Sequence, residues 1–298
     1  MAPALLALLA LVLSPPGPRV VRAGTAAAHA IVVAPAETLM VSDQGSGRPV
    51  VLVPGLVGGA YLWRKVVPLL ADEGWRVIVV EPLGIGGSSR PKDADYTLEA
   101  QATRVASVLD ALGVRGAIMV SHTVGSSIAL RLAAQRPELV GGMVSIGGGA
   151  AEAAATSGLK SALRFAGVAK ALMGEGALRA RLRSSLVKNS ADTSWITPDA
   201  LAGYAGDGDH GGLLGSLKRF ANAKDTVPLA PRLSGITVPM MLLIGGEPHP
   251  AGVPYDEILL LGKSLPKFRQ LRVPESGLHV QEEQPAVVVR AVTMVAAG

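Results

Sequence analysis

Residues 117–129 of this chain read AIMVSHTVGSSIA and decide its predicted fold. Ala117–Ser121 is a short apolar run, typical of a strand that is buried on both faces of a parallel sheet. A helical pattern begins near Gly125 and must end by Pro137, because a proline cannot continue a helix. Strand and helix are therefore joined by a very tight turn, and Thr123 lies in that turn.

The same alternation of apolar runs and helical patterns extends over most of the chain after Ala36. Thr97 can cap a helix that Gly113 can end, and a last helix begins at Pro285. Alternating strands and helices indicate the α/β class, with a doubly wound, mostly parallel sheet. The other strands are predicted at Leu39–Val41, Pro49–Val53, Arg76–Val80, Gly142–Ile146, Pro239–Ile244 and Gln270–Val273.

One long stretch interrupts this alternation, because no convincing strand pattern occurs between Ile146 and Pro239. Its Ala-rich helical patterns predict a helical lid over the strand ends at residues 150–236. The core is then formed by residues 36–149 and 237–298. The first part of the lid is basic and contains Lys160, Arg164, Lys170, Arg179, Arg181, Arg183 and Lys188 with a single acid, Glu175. This segment is either a solvated helix face or a surface that attracts an anionic substrate or a membrane.

The N-terminus has the features of a secretory signal peptide. Leu5–Leu13 consists almost entirely of Leu and Ala, and it is too short for a membrane-spanning helix, which needs about 20 residues. Small-residue sites that suit a signal peptidase end at Ala23 and at Ala30. Residues 1–30 are therefore predicted to be a leader, and the protein to be secreted or periplasmic. Because no Lys or Arg precedes the apolar run, an uncleaved anchor and an incorrectly assigned start codon are the alternatives.

Composition excludes several classes of protein. Of the 298 residues, 49% are hydrophobic, which rules out a disordered chain. The chain has no cysteine, so disulfides, thiolate zinc sites and a cysteine nucleophile are ruled out. The formal net charge is +5 and only 3% of the residues are aromatic, which argues against nucleic acid as a partner. Nothing in the sequence favours a particular oligomeric state.

Four turns that follow predicted strands are the expected place for a ligand. In a doubly wound sheet, ligands bind at the carboxyl ends of the strands. The turns at this edge are rich in glycine and hold three of the five histidines of the chain. They are Pro54–Gly59, Ser121–Gly125, Gly245–His249 and Pro274–His279. A catalytic or binding site is therefore predicted at this edge of the sheet.

Three motifs of the sequence resemble the α/β-hydrolase fold superfamily, in its esterase, epoxide-hydrolase and haloperoxidase-like branch. They are VLVPG at residues 51–55, EPLGIG at residues 81–86 and QEEQP at residues 281–285. The resemblance implies a mostly parallel sheet of eight strands. It also implies hydrolysis of a small-molecule substrate by a Ser-His-Asp triad, with neither a metal ion nor an organic cofactor.

The nucleophile turn departs from the family motif Gly-x-Ser-x-Gly. The sequence is SHTVG, so the resemblance places Thr123 at the nucleophile position and Ser121 at the first glycine. A threonine can act as a nucleophile, but the turn requires an unusual backbone conformation that costs a β-branched residue about 1–3 kcal/mol. Thr123 is therefore either a working nucleophile or the remnant of an inactive site. Ser126 and Ser127, in the following helical turn, are predicted to be structural.

The acid and the histidine of the triad are also changed. His249 stands where the family has an aspartate, so Glu247 and Glu152 are the candidate acids. His279 comes one residue later than the family histidine when the chain is aligned on the QEEQP motif. It is the candidate base, and a surface-loop histidine is the alternative.

The oxyanion site uses backbone groups and therefore does not depend on these side chains. The topology of the family assigns it to the N–H groups of Leu56 and Val124, the latter at a helix N-terminus. Such a site can polarise an ester carbonyl even when the nucleophile is poor.

Two functions follow from this reading of the site. The first is a hydrolase for an ester-like bond in a small or medium substrate, in which Thr123 attacks, His279 moves the proton and Glu247 orients His279. The second is a catalytically degenerate α/β hydrolase that binds a ligand without converting it. The second function stays open because all three departures fall on triad positions, while the turns that build the fold are intact.

Overall fold

The computed structural model describes residues 19–22, 28–151, 176, 179–206 and 210–298. In these ranges the strands are Arg19–Arg22 (β1), Ala28–Ala34 (β2), Glu37–Gln44 (β3), Pro49–Val53 (β4), Arg76–Val80 (β5), Ala117–His122 (β6), Val140–Ile146 (β7), Met240–Gly245 (β8) and Phe268–Val273 (β9). They form one nine-stranded sheet in the order β1-β2-β3-β5-β4-β6-β7-β8-β9.

Most of this sheet is parallel. The six neighbouring strands from β5 to β9 pair in parallel, and β1, β2 and β3 are antiparallel at the other edge. The α/β class and the mostly parallel sheet are therefore confirmed. Strands β2 to β9 are the eight that the resemblance implies, and β1 adds a ninth strand at the antiparallel edge.

The first two strands, β1 and β2, lie in or beside the predicted leader. β1 pairs with β2 so that Arg19 lies opposite Val32 and Arg22 opposite His29. The sequence pattern predicts no strand over Ala28–Ala34, because its first three residues fall in the predicted leader. Apart from these pieces, residues 1–30 lie outside the described ranges, and the signal peptide and the export of the protein stay predictions.

Helices cover both faces of the sheet. They are Val66–Asp72 (α1), Leu98–Ala111 (α2), Val124–Gln135 (α3), Pro198–Ala205 (α4), His210–Asn222 (α5), Tyr255–Ser264 (α6), Val280–Glu283 (α7) and Pro285–Ala296 (α8). Apolar residues of α2, α3 and α6 form one buried cluster against the sheet. Those of α1 and α8 belong to another. This two-sided packing is the one that a doubly wound sheet requires.

The local signals for α2 and α3 are confirmed. Thr97 Oγ1 accepts a hydrogen bond from Ala100 N at 3.2 Å at the start of α2. The helix ends at Ala111, and Gly113 follows with a φ of 64°. Helix α3 begins at Val124, two residues after β6 ends. This junction places Thr123 at the carboxyl edge of the sheet.

The segment between β7 and β8 contains only helices and irregular structure in its described parts, 179–206 and 210–236. Residues 179–188, α4 and α5 are helical. Helix α4 packs on the 3₁₀ helix Gly59–Trp63, where the Tyr204 and Tyr61 ring centroids are 5.9 Å apart. The function of this segment as a lid stays a prediction. Among the residues described, no helix is both long enough and apolar enough to cross a bilayer.

Candidate active site

Thr123 forms a strained turn between β6 and α3. Its φ is 47° and its ψ is −117°, a conformation that costs a β-branched residue about 1–3 kcal/mol. Two backbone hydrogen bonds hold it: Thr123 N donates to Ile146 O at 2.9 Å, and Thr123 O accepts from Ser126 N at 3.0 Å. Gly148 lies so close to Thr123 O that it has no room for a Cβ. The unusual backbone predicted for the nucleophile position is therefore confirmed.

The serines around this turn are buried, and their hydroxyl groups make hydrogen bonds within the protein. Ser121 Oγ donates to Ser126 Oγ at 3.1 Å, and Ser145 Oγ donates to Ser126 Oγ at 2.6 Å. Ser127 Oγ donates to Ala151 O at 2.5 Å. Ser121, Ser126 and Ser127 are each at most 1% exposed, whereas Thr123 is partly exposed. Of the hydroxyl residues in the turn, Thr123 is thus the most exposed.

The loop after β4 lies directly against Thr123. A Cβ on Gly55 would collide with Thr123 Oγ1 and would lie 3.2 Å from His122 Nδ1. The N–H of Leu56, the next residue, makes no hydrogen bond within the part of the chain that the structure describes. Val124 N is the first N–H of α3, and such groups have no acceptor inside their helix. Both predicted oxyanion donors thus belong to the two segments that meet at Thr123.

His279 is brought to the turn. It precedes α7, is 6% exposed, and its ring stacks on that of His122 with centroids 5.6 Å apart and an angle of 23° between the planes. Trp195 and Tyr204, from the segment between β7 and β8, border His279 at 5.5 Å and 6.4 Å between centroids. Leu278, which the motif alignment puts at the histidine position, packs instead against Gly147.

The hydroxyl of Thr123 contacts His122 rather than His279. Thr123 Oγ1 is 3.4 Å from His122 Nδ1. Within the described ranges no hydrogen bond joins Thr123 to His279, and Nδ1 of His279 is buried without a partner. The sequence pattern assigns no role to His122, because nothing in a linear motif shows that adjacent side chains will meet.

Both stacked histidines are neutral at pH 7. Burial lowers the pKa of His122 to about 4, against a smaller opposing effect from the Leu278 backbone. Burial, with smaller contributions from the neighbouring His122 and His249, lowers the pKa of His279 to about 3. A neutral imidazole has one nitrogen without a proton, so each ring is able to accept one.

Glu247, the candidate acid that the structure describes, does not contact this pair. Glu247 is exposed and lines an open surface pocket of about 490 Å³ together with Asp192 and Glu275. Its carbonyl oxygen accepts a hydrogen bond from His249 Nδ1 at 2.8 Å. Glu152 lies outside the described residues. In the ranges that the structure covers, no group of three or more His, Cys, Asp or Glu is arranged to hold a metal ion.

A buried ion pair that no local sequence pattern indicates lies beneath His279. The carboxylate of Glu282, which is 2% exposed, pairs with Arg64 and accepts a hydrogen bond from Tyr204 Oη at 2.8 Å. Lys65 Nζ donates to Glu282 O at 2.7 Å. Burial and the Glu282 carboxylate raise the pKa of Tyr204. These contacts tie α7, and with it His279, to the loop after β4 and to α4.

The basic segment is described only in its second half. Arg179, Arg181, Arg183 and Lys188 are exposed. Lys160, Arg164, Lys170 and Glu175 lie outside the described residues. Contact of this segment with a membrane surface stays a prediction.

Comparison with known proteins agrees with this architecture. The model of the alpha/beta hydrolase fold family matches residues 48–181. A 2-hydroxymuconate semialdehyde hydrolase from Pseudomonas sp. (strain CF600) is 38% identical over 121 residues, which are 39% of this chain and 42% of that protein. A haloalkane dehalogenase from Agrobacterium fabrum is 37% identical over 98 residues, which are 33% of this chain and 32% of that protein. The matched segments thus span less than half the length of these relatives.

The likeness to solved structures covers more of the chain. The crystal structure of Cfl2 from Burkholderia cenocepacia aligns with 93% of this chain and 99% of its own, with a TM-score of 0.73 and 20% sequence identity. At that identity the likeness shows the fold.

Proposed function

Because this chain is a member of the alpha/beta hydrolase fold superfamily, we propose that it hydrolyses an ester-like bond in a small or medium substrate. The observation that carries the proposal is the position of Thr123, whose hydroxyl lies at the strained turn after β6 with the Gly55 loop against it. The names of the two sequence relatives, a semialdehyde hydrolase and a dehalogenase, support hydrolysis but not a particular bond.

The chemistry assigned to this site is acyl transfer. Thr123 Oγ1 attacks the carbonyl carbon while a neutral histidine of the stacked pair takes the hydroxyl proton. The N–H groups of Leu56 and Val124 bind the oxygen that becomes negative, and the N-terminus of α3 adds a favourable dipole. The leaving alcohol takes up the proton, and water then cleaves the threonine ester by the same steps. Glu247 has no role in this scheme, since it is exposed and does not contact His279.

The surroundings of the histidines favour an apolar substrate group. The rings of Trp195 and Tyr204 border His279, and the charge of Glu282 beneath them is paired with Arg64. Aromatic faces contribute apolar contact, and an internally paired carboxylate does not attract a charged ligand.

A ligand-binding function without catalysis is the second candidate. Two observations favour it: the nucleophile position holds a β-branched residue at positive φ, and Nδ1 of His279 has no carboxylate partner among the described residues. In a Ser-His-Asp triad, replacement of the aspartate that contacts this nitrogen by asparagine lowers kcat about 10⁴-fold.

Thr123→Ser distinguishes the two candidates. Serine keeps the hydroxyl and removes the methyl group that crowds the attacking oxygen and disfavours the turn. Removal of the methyl group from the attack path is expected to raise kcat about 10-fold or more for nitrophenyl acetate and butyrate, which corresponds to about 1.4 kcal/mol in the activation barrier. Thr103→Ser, at an exposed position on α2, is the matched control and should leave kcat unchanged. If neither the wild type nor Thr123→Ser turns over these esters while folded, the binding function is favoured.

Gly55→Ala tests the contact between the Gly55 loop, which follows β4, and the hydroxyl of Thr123. The added Cβ collides with Thr123 Oγ1, so loop and hydroxyl must separate, and a displacement of about 1 Å at a reacting group costs about 100-fold in rate. We expect a loss of kcat of that size with the same esters. Gly235→Ala is the control, because its Cβ would meet no atom within 4 Å. Unchanged turnover in Gly55→Ala would contradict the placement of the loop.

A further inference from the structure

The contact between His122 and Thr123 is the feature that the proposed chemistry leaves unassigned. Their closest polar atoms, Nδ1 and Oγ1, are 3.4 Å apart. This is the only side-chain hydrogen bond that the Thr123 hydroxyl makes among the described residues. His122 is the last residue of β6, so the strained turn itself sets the geometry of the contact.

The surroundings of His122 fix the ring in this position. The side chain is buried, at 5% exposure, and the Gly55 loop closes over the two contacting atoms. The ring of His279 stacks on its other side at 5.6 Å. Burial keeps the imidazole neutral, and a ring that carries its proton on Nε2 presents a free electron pair on Nδ1.

We propose that His122 is a further catalytic residue, whose Nδ1 takes the hydroxyl proton of Thr123 as Oγ1 attacks the substrate carbonyl. The bond from Oγ1 to the carbonyl carbon forms as the O–H bond breaks, and the proton moves to Nδ1. When the tetrahedral intermediate collapses, the bond from carbon to the alcohol oxygen breaks, and that oxygen takes the proton from Nδ1. This inference rests on the proposed hydrolase function and replaces His279 as the first proton acceptor.

His279 then acts as a positioning residue. Its ring lies on that of His122, and its own surroundings are the rings of Trp195 and Tyr204. The buried ion pair of Glu282, three residues further along the chain, anchors the helix that follows it. The stack keeps the His122 ring in the plane in which Nδ1 faces Thr123 Oγ1.

Nitrogen-15 NMR of the imidazole side chains tests the contact without any need for activity. Thr123→Val keeps the shape of the side chain and removes the hydroxyl, while both histidines stay in place. We expect the Nδ1 resonance of His122 to shift in this variant and both ring nitrogens of His279 to stay within error, with signals assigned from single histidine variants. An unchanged His122, or a shift confined to His279, would overturn the inference.

Kinetics of two asparagine variants test the proton transfer. In His122→Asn the amide oxygen takes the place of Nδ1 and can accept the hydrogen bond, but it cannot take the proton. We expect kcat to fall at least about 100-fold with little change in KM, the size of a general-base contribution. In His279→Asn we expect kcat to fall less than about tenfold, because the proton acceptor His122 remains.

The outcomes separate the two levels of the proposal. A loss below tenfold in His122→Asn overturns the role of His122 and leaves the hydrolase function standing, provided that the wild type is active and near-UV circular dichroism shows both variants folded. A wild type without turnover overturns the hydrolase function, and the NMR experiment still decides whether His122 holds Thr123.

Discussion

Thr123→Val is expected to lower kcat for nitrophenyl ester hydrolysis by about 10⁴-fold or more. Valine fills nearly the same space as threonine, so the turn, the Gly55 contact and the stacked histidines are retained while the attacking oxygen is lost. Removal of a nucleophile from a hydrolase site leaves only the rate supplied by the oxyanion donors and by binding. Initial rates with the wild type and the variant, each corrected for the reaction in buffer, measure the effect.

The control for this experiment is Thr103→Val. Thr103 is an exposed threonine on α2, and its replacement should leave kcat within about twofold. A Thr123→Val protein that keeps a tenth or more of the wild-type rate would mean that another group attacks the substrate, and the assignment of Thr123 would be wrong.

Acid is expected to destabilise the protein through the two buried histidines, well above the pH at which they are themselves protonated. The pKa of His122 is lowered from 6.5 to about 4, and that of His279 from 6.5 to about 3. As the pH falls below 6.5, the unfolded chain takes up these protons and the folded chain does not. The stabilising effect of neutral burial is therefore complete above pH 6.5 and is lost progressively down to pH 4 for His122 and pH 3 for His279.

The expected loss is large compared with the stability of a typical domain. Between pH 7 and pH 5 each histidine contributes on the order of 2 kcal/mol to the decrease in the free energy of unfolding, and a domain is stable by about 5–15 kcal/mol in total. Urea unfolding at the two pH values measures the decrease. In the double variant His122→Asn/His279→Asn we expect the decrease to be smaller by about 4 kcal/mol.

A third histidine provides the control for the acid experiment. His29→Asn, on β2, should show the same decrease in stability between pH 7 and pH 5 as the wild type. If the double variant also loses as much stability as the wild type, the two rings are not held neutral by burial, and the description of the stacked pair is incorrect.

Most of the sheet was predictable because its strands are buried on both faces. Runs such as Pro49–Val53 and Arg76–Val80 contain almost no polar residue, and their bounds agree with β4 and β5. The strand Gln270–Val273 begins two residues earlier, at Phe268, because edge strand β9 is largely exposed and carries charged residues. β1 and β2 were not predicted, because the leader pattern overlaps them.

The site was predictable only where one short segment determines it. The strained backbone of Thr123 follows from the strand–turn–helix sequence alone, and the structure has it. Glu247 illustrates the opposite case, because its place two residues before His249 says nothing about whether the loop turns it towards His279. Arg64 and Glu282 are 218 residues apart in sequence, so no local pattern connects them.

Peptide mapping of the protein after reaction with a fluorophosphonate tests most directly whether the Thr123 hydroxyl is the nucleophile. Trypsin releases residues 116–131 as one peptide, which holds Ser121, Ser126 and Ser127 beside Thr123, and fragment ions distinguish the four hydroxyl groups. We predict a single adduct on Thr123. An adduct on one of the serines, or a folded protein that takes up no label, would contradict the assignment.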